Sequence, residues 1–371
     1  MKKIALFVSN LCTAGGTERV TALLSNEFIK KYNCSIITLF NDREIYFKID
    51  NRVRIFNVCN KRERLRKIFF FSIIKFVQYL RKNSFDIVII VGRNNNIMPL
   101  IAACFTSTKI IFCEHSTILN FKFHTQNLKT KIYNKIFQFF ILKTSDKIIV
   151  LTNNEKQLYL SRYNIRNDKI LIIPNYLNEK LIEQSKFLYN KLSNNIITVG
   201  SYNIAKGYEY LVKVAKLVFA KHPDWQWDIY GDGDKKYKNK IINLIEQNDL
   251  QNHVILQGNR SDIYDLYQNY SIYVMTSRYE GLPMVLLEAK AKKLPIVSFD
   301  INSGPSDIIR DGIDGFLINP FDCQKMADKI CELIENPELR QKFSDNAHGN
   351  IDKFSKEKII KQWCDLIDSL S

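Results

Sequence analysis

KILIIPNYLNEKLIEQSKFLYNKLSNNIITVG, residues 169–200, contains two short apolar runs with a break between them. KILII reads as a strand covered on both faces, because its apolar residues are continuous rather than alternating. Pro174-Asn175-Tyr176 stops it, and the polar stretch Leu192-Ser193-Asn194-Asn195 precedes a restart at IITVG. The alternation of strand and helix extends outward in both directions. Upstream lie KIALFV, the helix-period segment TERVTALLSNEFIKKY, CSIITLF, FDIVIIV, KIIFC and DKIIVL; downstream lie WQWDIYG, HVILQG, SIYVM, LPIVSFD and GFLI. Such alternation is the pattern of parallel α/β units. We expect two doubly wound, Rossmann-like α/β domains, residues 1–176 and 177–371, joined near 174–194. The carboxyl ends of their strands are expected to face a central cleft, where open sheets bind ligands. The last segment, IDKFSKEKIIKQWCDLIDSL, has helical periodicity and is a candidate to pack back on the N-terminal domain.

The length, 371 residues, suits two domains, and 46% hydrophobic with 25% charged residues excludes a disordered or fibrous chain. Lys and Arg number 54 against 38 Asp and Glu, a formal net charge of +16. The excess is uneven. Residues 1–176 hold 29 Lys/Arg against 11 Asp/Glu, a net of +18, while residues 177–371 hold 25 against 27, a net of −2. A basic half suits nucleic acid or an anionic membrane face, or it reflects a Lys- and Asn-rich composition on solvated faces. No zinc-finger spacing, RNA-binding signature or basic zipper is present, so nucleic acid is not an expected partner.

Eight cysteines (Cys12, Cys34, Cys59, Cys104, Cys113, Cys323, Cys331, Cys364) lack metal-ligand spacing and read as buried free thiols in a reducing compartment. The apolar stretch of the N-terminal MKKIALFVSN is only about five residues, and no run approaches the roughly 18 of a membrane span. A cytoplasmic location is expected.

Four stretches carry candidate chemistry. The first strand runs into Ser9-Asn10-Leu11-Cys12-Thr13-Ala14-Gly15-Gly16-Thr17-Glu18-Arg19, where Gly15 and Gly16 open a helix. Glycines and free amides there suit a phosphate or sugar, or simply a tight strand-to-helix turn. After KIIFC comes Glu114-His115-Ser116-Thr117, placing His115 at a strand's carboxyl end, to donate to a substrate hydroxyl or to carry positive charge. In Val199-Gly200-Ser201-Tyr202-Asn203-Ile204-Ala205-Lys206-Gly207, Lys206 sits at a strand-to-helix turn, placed to neutralise a diphosphate.

The densest stretch is Ser277-Arg278-Tyr279-Glu280-Gly281-Leu282-Pro283-Met284-Val285-Leu286-Leu287-Glu288-Ala289-Lys290. Gly281 and Pro283 mark a turn into a helix, with Pro283 suited to the first helical position. The amides of residues 281–285 are expected to hold a phosphate, flanked rather than bridged by the Glu280 and Glu288 carboxylates. A carboxylate beside a phosphate needs a partner, and the hydroxyls of a nucleotide sugar supply one on each side. Asp232-Gly233-Asp234 reads as a turn rather than a metal site.

These residues resemble the retaining, nucleotide-sugar-dependent glycosyltransferases of family 4, with the two-domain GT-B fold. The similarity spans essentially the whole chain. It is strongest from Gly200 to Leu317, including Gly304-Pro305-Ser306-Asp307-Ile308-Ile309 and Asp311-Gly312-Ile313-Asp314-Gly315-Phe316, and Gly15-Gly16-Thr17-Glu18-Arg19 is similar to the family's amino-terminal glycine loop. Within the group the chain looks most like bacterial enzymes of O-antigen, capsule or lipid-linked oligosaccharide synthesis. The resemblance implies an N-terminal acceptor-side domain, a C-terminal donor domain, and His115, Lys206 and Glu280 as catalytic residues. It places Gly15, Gly16, Lys206, Arg260, Glu280, Gly281, Leu282, Pro283, Met284, Val285 and Glu288 at the donor. Glu288 takes the ribose and Arg260 lies near the nucleobase. Ser201 stands where the family usually has an arginine, leaving Arg260, Arg278 or Lys206 with the helix terminus to meet the phosphates.

The implied partners are a nucleotide-sugar donor, expected to be UDP-linked, a lipid-linked saccharide acceptor and the anionic inner-membrane surface; no cofactor or metal is expected. A GT-B-fold nucleotide-sugar epimerase or phosphorylase is the alternative. For the membrane, Lys61-Arg62-Glu63-Arg64-Leu65-Arg66-Lys67 runs into IFFFSIIKFVQYL, and Lys122, Lys129, Lys131, Lys135 and Lys143 interleave with aromatic and aliphatic residues. These stretches suit interfacial helices; alternatively their apolar faces pack on the sheet.

Overall fold

The computed structural model describes the chain except for residues 14, 42, 60–64, 94–96, 119–127, 178–180, 182–188 and 371; at 65–69 it describes the backbone only. Two compact units emerge, Met1–Asn175 with Ile359–Ser371, and Tyr176–Lys358. The division falls one residue from the expected boundary, and the last thirteen residues belong to the first unit.

The first unit is a seven-stranded parallel sheet of β1 (Lys3–Val8), β2 (Asn33–Thr38), β3 (Arg54–Asn57), β4 (Ile87–Val91), β5 (Lys109–Cys113), β6 (Lys147–Val150) and β7 (Ile170–Ile172), in the order β3-β2-β1-β4-β5-β6-β7. Its centre is wholly buried: Leu6 pairs with Ile36 on one side and Ile89 on the other, each fully inaccessible to solvent. Continuous apolar strands are the sequence consequence of helices on both faces. β3 was not expected from the sequence, because a four-residue edge strand reading RIFN is half exposed and carries too little apolar length to show.

The C-terminal helix Lys356–Ser369 buries Ile359, Trp363, Leu366 and Ile367, the i, i+4, i+7, i+8 face of an amphipathic helix. Trp363 packs edge-on against Phe28 at 5.9 Å, Tyr32 donates to Asp368 at 2.9 Å, and the Lys2 ammonium reaches the carbonyls of Ile367 (2.8 Å) and Leu370 (2.7 Å). Cations at a helix C-terminus satisfy carbonyls that have no intrahelical donor.

The second unit holds β8 (Asn195–Val199), β9 (Gln226–Tyr230), β10 (Val254–Gly258), β11 (Ile272–Met275), β12 (Ile296–Phe299) and β13 (Gly315–Ile318), in the parallel order β10-β9-β8-β11-β12-β13. Chain order reverses between β8 and β11, so the loops leaving those two strands diverge to opposite faces of the sheet and open a crevice at their carboxyl ends. Lys206 lies on one of these loops and Glu280 on the other.

All eight cysteines are free. Cys34, Cys59, Cys113 and Cys331 are buried, while Cys12, Cys323 and Cys364 are half-buried and Cys104 is exposed, which corrects the expectation that the thiols are uniformly interior. Cys104 lies just past the end of the short helix Ile97–Ala103, beyond the reach of the core.

Candidate functional site

In the second unit, the loop after β8 closes through a turn of 3-10 helix, Ile204–Lys206, whose Asn203 cap accepts from the Ala205 amide at 2.9 Å. Gly207 then takes a left-handed conformation, φ 60°, and a side chain there would meet the Thr276 carbonyl at 2.3 Å. Only glycine satisfies both demands. Two further bonds join this loop to the one after β11: Arg278 N to Ala205 O at 2.7 Å and Thr276 Oγ1 to Lys206 O at 3.1 Å.

The two loops therefore present Lys206 and Glu280 to each other, with Nζ to Oε1 at 2.7 Å, and Ser277 Oγ donates to the same oxygen at 2.7 Å. The sequence reading placed both residues at a donor but did not foresee that they pair directly. Both side chains are mostly shielded yet retain some exposure, 19% and 16%. Ser277 is fully buried, and its spacing of three from Glu280 is the one sequence signal of this contact.

The helix after this loop runs Met284–Ala291, with Pro283 as its N-cap rather than its first residue. Pro283 has ψ 96°, an extended value, and its carbonyl accepts from Leu286. Gly281 and Leu282 consequently belong to the loop, and the helix start offers the amides of Met284 and Val285, which have no intrahelical acceptor. Glu288, one turn inside, is buried at 3% exposure and accepts from Tyr264 Oη at 3.1 Å. Tyr264, 24 residues earlier, could not be found by local spacing.

Beneath this helix, Lys290 Nζ bonds Asp314 Oδ2 at 2.8 Å and the Ile308 carbonyl at 2.7 Å, and Arg310 Nε bonds the same Asp314 oxygen at 2.6 Å. The Asp311-Gly312-Ile313-Asp314-Gly315 segment thus anchors the helix carrying Glu288.

The missing arginine at Ser201 is not replaced by Arg278, which ion-pairs with Glu209 at 3.2 Å and lies over the Tyr210 ring at 4.5 Å. Arg260, exposed just after β10, is held by Asp262 through two bonds of 2.8 and 2.6 Å. Asp234 of Asp232-Gly233-Asp234 caps the helix Lys235–Glu246 by accepting from the Tyr237 amide.

In the first unit, Gly15 caps the helix Gly16–Phe28, and a Gly15 side chain would strike Glu18 Oε2 at 2.2 Å. The Glu18 carboxylate, bonded by Thr13 and Thr17 hydroxyls at 2.9 and 2.8 Å, already brings a negative charge to this helix start. The space beside Gly15 is thus taken by the Glu18 side chain, whereas a side chain at Gly16 would meet nothing within 4 Å. Ala14 lies outside the described residues.

His115 follows β5, half-buried, and burial pulls its imidazole down to about 4. It is neutral at physiological pH, which removes the expected alternative of a positive charge and leaves hydrogen bonding.

Below it lie two buried carboxylates. Glu114 takes bonds from Arg93 Nε and, at 2.8 Å, Tyr159 Oη. Burial and the neighbouring Glu114 push the Glu155 carboxyl up to about 7, against the Ile118 amide, the Thr117 side chain and Arg93. With the folded value raised above the ordinary 4.5, the stability is fully present below about 4.5 and is lost as pH rises through 7. Glu155→Gln should therefore stabilise the first unit relative to wild type at pH 8 by on the order of 3 kcal/mol, and not at pH 4. Denaturant titrations at both pH values check this; equal differences would contradict it.

The comparisons agree with this architecture. The family described as Glycosyltransferase Family 4 matches residues 14–180, and Glycosyl transferases group 1 matches residues 179–349. An uncharacterized glycosyltransferase of Haemophilus influenzae is 31% identical over 365 residues, covering 98% of this chain and 99% of that protein. A GalNAc-alpha-(1->4)-GalNAc-alpha-(1->3)-diNAcBac-PP-undecaprenol alpha-1,4-N-acetyl-D-galactosaminyltransferase of Campylobacter jejuni is 25% identical over 385 residues, covering 99% and 98%. Among solved structures, an S. aureus TarM variant in complex with fondaparinux, alpha-GlcNAc-glycerol and UDP has a TM-score of 0.82 at 20% identity, covering 100% of both chains, a likeness of fold. The chain belongs to the family 4 glycosyltransferases and has their GT-B fold.

Proposed function

We propose that the protein is a retaining hexosyltransferase that moves a hexose or N-acetylhexosamine from a UDP-linked sugar to a lipid-linked saccharide acceptor in bacterial surface polysaccharide synthesis. The observation that carries this reading is the Lys206–Glu280 pair at the carboxyl ends of β8 and β11, beside the start of the helix Met284–Ala291. A cation, a hydroxyl-accepting carboxylate and free helix amides within two stitched loops match a diphosphate attached to a sugar. The undecaprenol diphosphate named for the Campylobacter relative and the UDP named for TarM support the acceptor and donor classes.

The barrier lies in breaking the bond between the anomeric carbon and the diphosphate. Lys206 and the amides of Met284 and Val285 meet the charge that develops on the departing oxygen, and no metal is invoked. Donor hydroxyls replace Lys206 as the partners of Glu280, freeing the ammonium for the phosphates. Glu288 takes ribose hydroxyls. His115 donates, as a neutral imidazole, to a substrate hydroxyl. No carboxylate is assigned as a nucleophile; the departing phosphate oxygen accepts the proton of the acceptor hydroxyl as that hydroxyl attacks from the same face. The new glycosidic bond then keeps the donor's configuration.

A screen of UDP, GDP and ADP sugars for thermal stabilisation, followed by transfer to a lipid-diphosphate acceptor, tests the reading. Stabilisation by a UDP sugar with transfer of its sugar supports it. Conversion of the donor to a new sugar nucleotide without acceptor would instead assign an epimerase, and no response to any nucleotide sugar would contradict the reading.

The anionic membrane surface is part of the proposal. Among the described residues no helix is long and apolar enough to cross a membrane. The helices Leu65–Asn83 and Leu128–Thr144, both packed on Ile97–Ala103, contain no Asp or Glu. Phe70, Phe71 and Ile74 are exposed on the first, and Leu128, Ile132, Ile136 and Phe139 line one face of the second. Lys129, Lys131 and Lys135 are exposed among them. Exposed aromatic and aliphatic residues with cations and no acids suit an anionic bilayer surface, each cation contributing about 1 kcal/mol. The expected basic residues Lys61, Arg62, Arg64 and Lys122 lie outside the described residues. Sedimentation with vesicles containing anionic lipid should fall at least roughly tenfold in affinity for Lys131→Glu with Lys135→Glu; unchanged binding would contradict the membrane face.

A further inference from the structure

The loop leaving β5 carries His115, and both ends of its turn are tied to carboxylates beneath it. Glu114 is 1% exposed and Glu155 3%. Glu114 Oε1 faces the Ser116 amide and hydroxyl at 3.4 and 3.3 Å. Its other oxygen takes the Arg93 guanidinium and the Tyr159 hydroxyl, and Arg93 Nη2 also reaches Tyr159 Oη at 2.9 Å and Gln138 Oε1 at 2.8 Å. Glu155 comes from a different element, the helix Asn153–Arg162, and its Oε1 accepts from the Ile118 amide at 2.7 Å. Thr152 and Glu155 have the spacing of a capping box, and Thr152 accepts from the Glu155 amide at 3.2 Å. The carboxylate, however, extends to the neighbouring loop.

Two carboxylates share this interior with one guanidinium, an arrangement that costs folding energy unless each carboxylate has a task. Each makes a contact to loop backbone that an apolar side chain cannot make. Turns of this kind need their amides satisfied, and acceptors from rigid elements fix a turn more tightly than water does.

We propose that Glu155, together with Glu114, is a positioning residue for the transfer reaction, holding the amides of Ile118 and Ser116 so that His115 is presented in one place to its substrate hydroxyl. Neither carboxylate touches substrate; both act through the turn 115–118. This inference rests on the functional reading above in assigning His115 to a substrate.

The test uses the full chain with Glu155→Ala, Glu155→Asp and Glu155→Gln, each alone and combined with His115→Ala. Glutamine keeps an acceptor at the same reach, aspartate withdraws it by one methylene and alanine removes it. Glu155→Asp and Glu155→Ala are expected to lower kcat roughly 10- to 100-fold with donor KM little changed, whereas Glu155→Gln stays near wild type. In the His115→Ala background the same changes should add no further loss. The ring signals of His115 in protein carrying 15N-labelled histidine, assigned by their disappearance in His115→Ala, should shift in Glu155→Asp and remain in place in Glu155→Gln.

Folded Glu155→Asp protein with wild-type kcat and an unmoved His115 signal would overturn the proposal, as would a full additional loss in the His115→Ala background. Should Glu155→Ala fail to fold, the aspartate and glutamine variants decide alone. The histidine spectrum requires no transfer, so failure of the functional reading, seen as wild-type protein that transfers no sugar, is distinguishable from failure of the positioning claim.

Discussion

Lys206→Ala is expected to lower kcat for sugar transfer about 10²- to 10³-fold, the loss typical of removing one preorganised donor to a developing oxyanion. The ammonium stands 2.7 Å from Glu280 on a loop tied to the one that carries that carboxylate, so its position is set by the fold. With serine at position 201 and Arg278 paired with Glu209, no second cation among the described residues of these two loops takes its place. The fold should survive the change. Glu280 keeps the Ser277 hydroxyl and some solvent exposure, so the expected stability loss is about 1–2 kcal/mol. Steady-state kinetics with the donor that gives stabilisation checks this. Transfer within threefold of wild type would remove Lys206 from the chemistry.

Asp314→Ala is expected to give the largest loss of stability in the second unit, roughly 3–5 kcal/mol. Asp314 and Lys290 are each 1% exposed, and truncating the carboxylate leaves the Lys290 ammonium buried with the Ile308 carbonyl as its remaining partner among these contacts. Burial already pulls that ammonium down to about 8, a measure of how little the site solvates it. Arg310, partly exposed, turns to water at small cost. The consequence reaches the proposed donor site because Lys290 is two residues beyond Glu288 on the helix Met284–Ala291. Denaturant unfolding reads the effect directly, and the double change Lys290→Met with Asp314→Leu should recover most of it, since a well-packed apolar pair avoids burying charge. A loss under about 1 kcal/mol for Asp314→Ala would show that the ion cluster is not buried as described.

What the residues disclosed in advance follows a physical line. Strands covered on both faces announce themselves by uninterrupted apolar runs, so KIALFV, FDIVIIV and SIYVM were readable without any tertiary information, whereas Arg54–Asn57 at the sheet edge was not. Lys206 and Glu280 were legible as donor candidates because loops after parallel strands converge at a switch point. Their mutual ion pair was not, because it depends on the Arg278 amide bonding the Ala205 carbonyl and the Thr276 hydroxyl bonding the Lys206 carbonyl, which join residues some 70 positions apart. Shorter separations, 24 and 37 positions, still hid Tyr264 from Glu288 and Glu155 from the His115 turn. That the Glu18 side chain, three residues on, lies against Gly15 is likewise a fact of side-chain packing that the glycines themselves do not announce.

The charge imbalance also acquires a location. The first unit carries two helices free of acidic residues with apolar side chains exposed beside lysines, whereas the second unit concentrates its charge in pairs: Lys206 with Glu280, Arg278 with Glu209, and Lys290 with Asp314.

The central claim is that Lys206 and Glu280 divide a nucleotide sugar between them, the ammonium on the phosphates and the carboxylate on the sugar. Calorimetric titration of wild type and Glu280→Gln with UDP and with the stabilising UDP sugar measures that division. Glu280→Gln is predicted to weaken the UDP sugar about tenfold or more while leaving UDP as tight as in wild type or tighter, because Lys206 loses a competing carboxylate. Equal affinity of the UDP sugar for both proteins, or no binding of either ligand to wild type, would contradict the account.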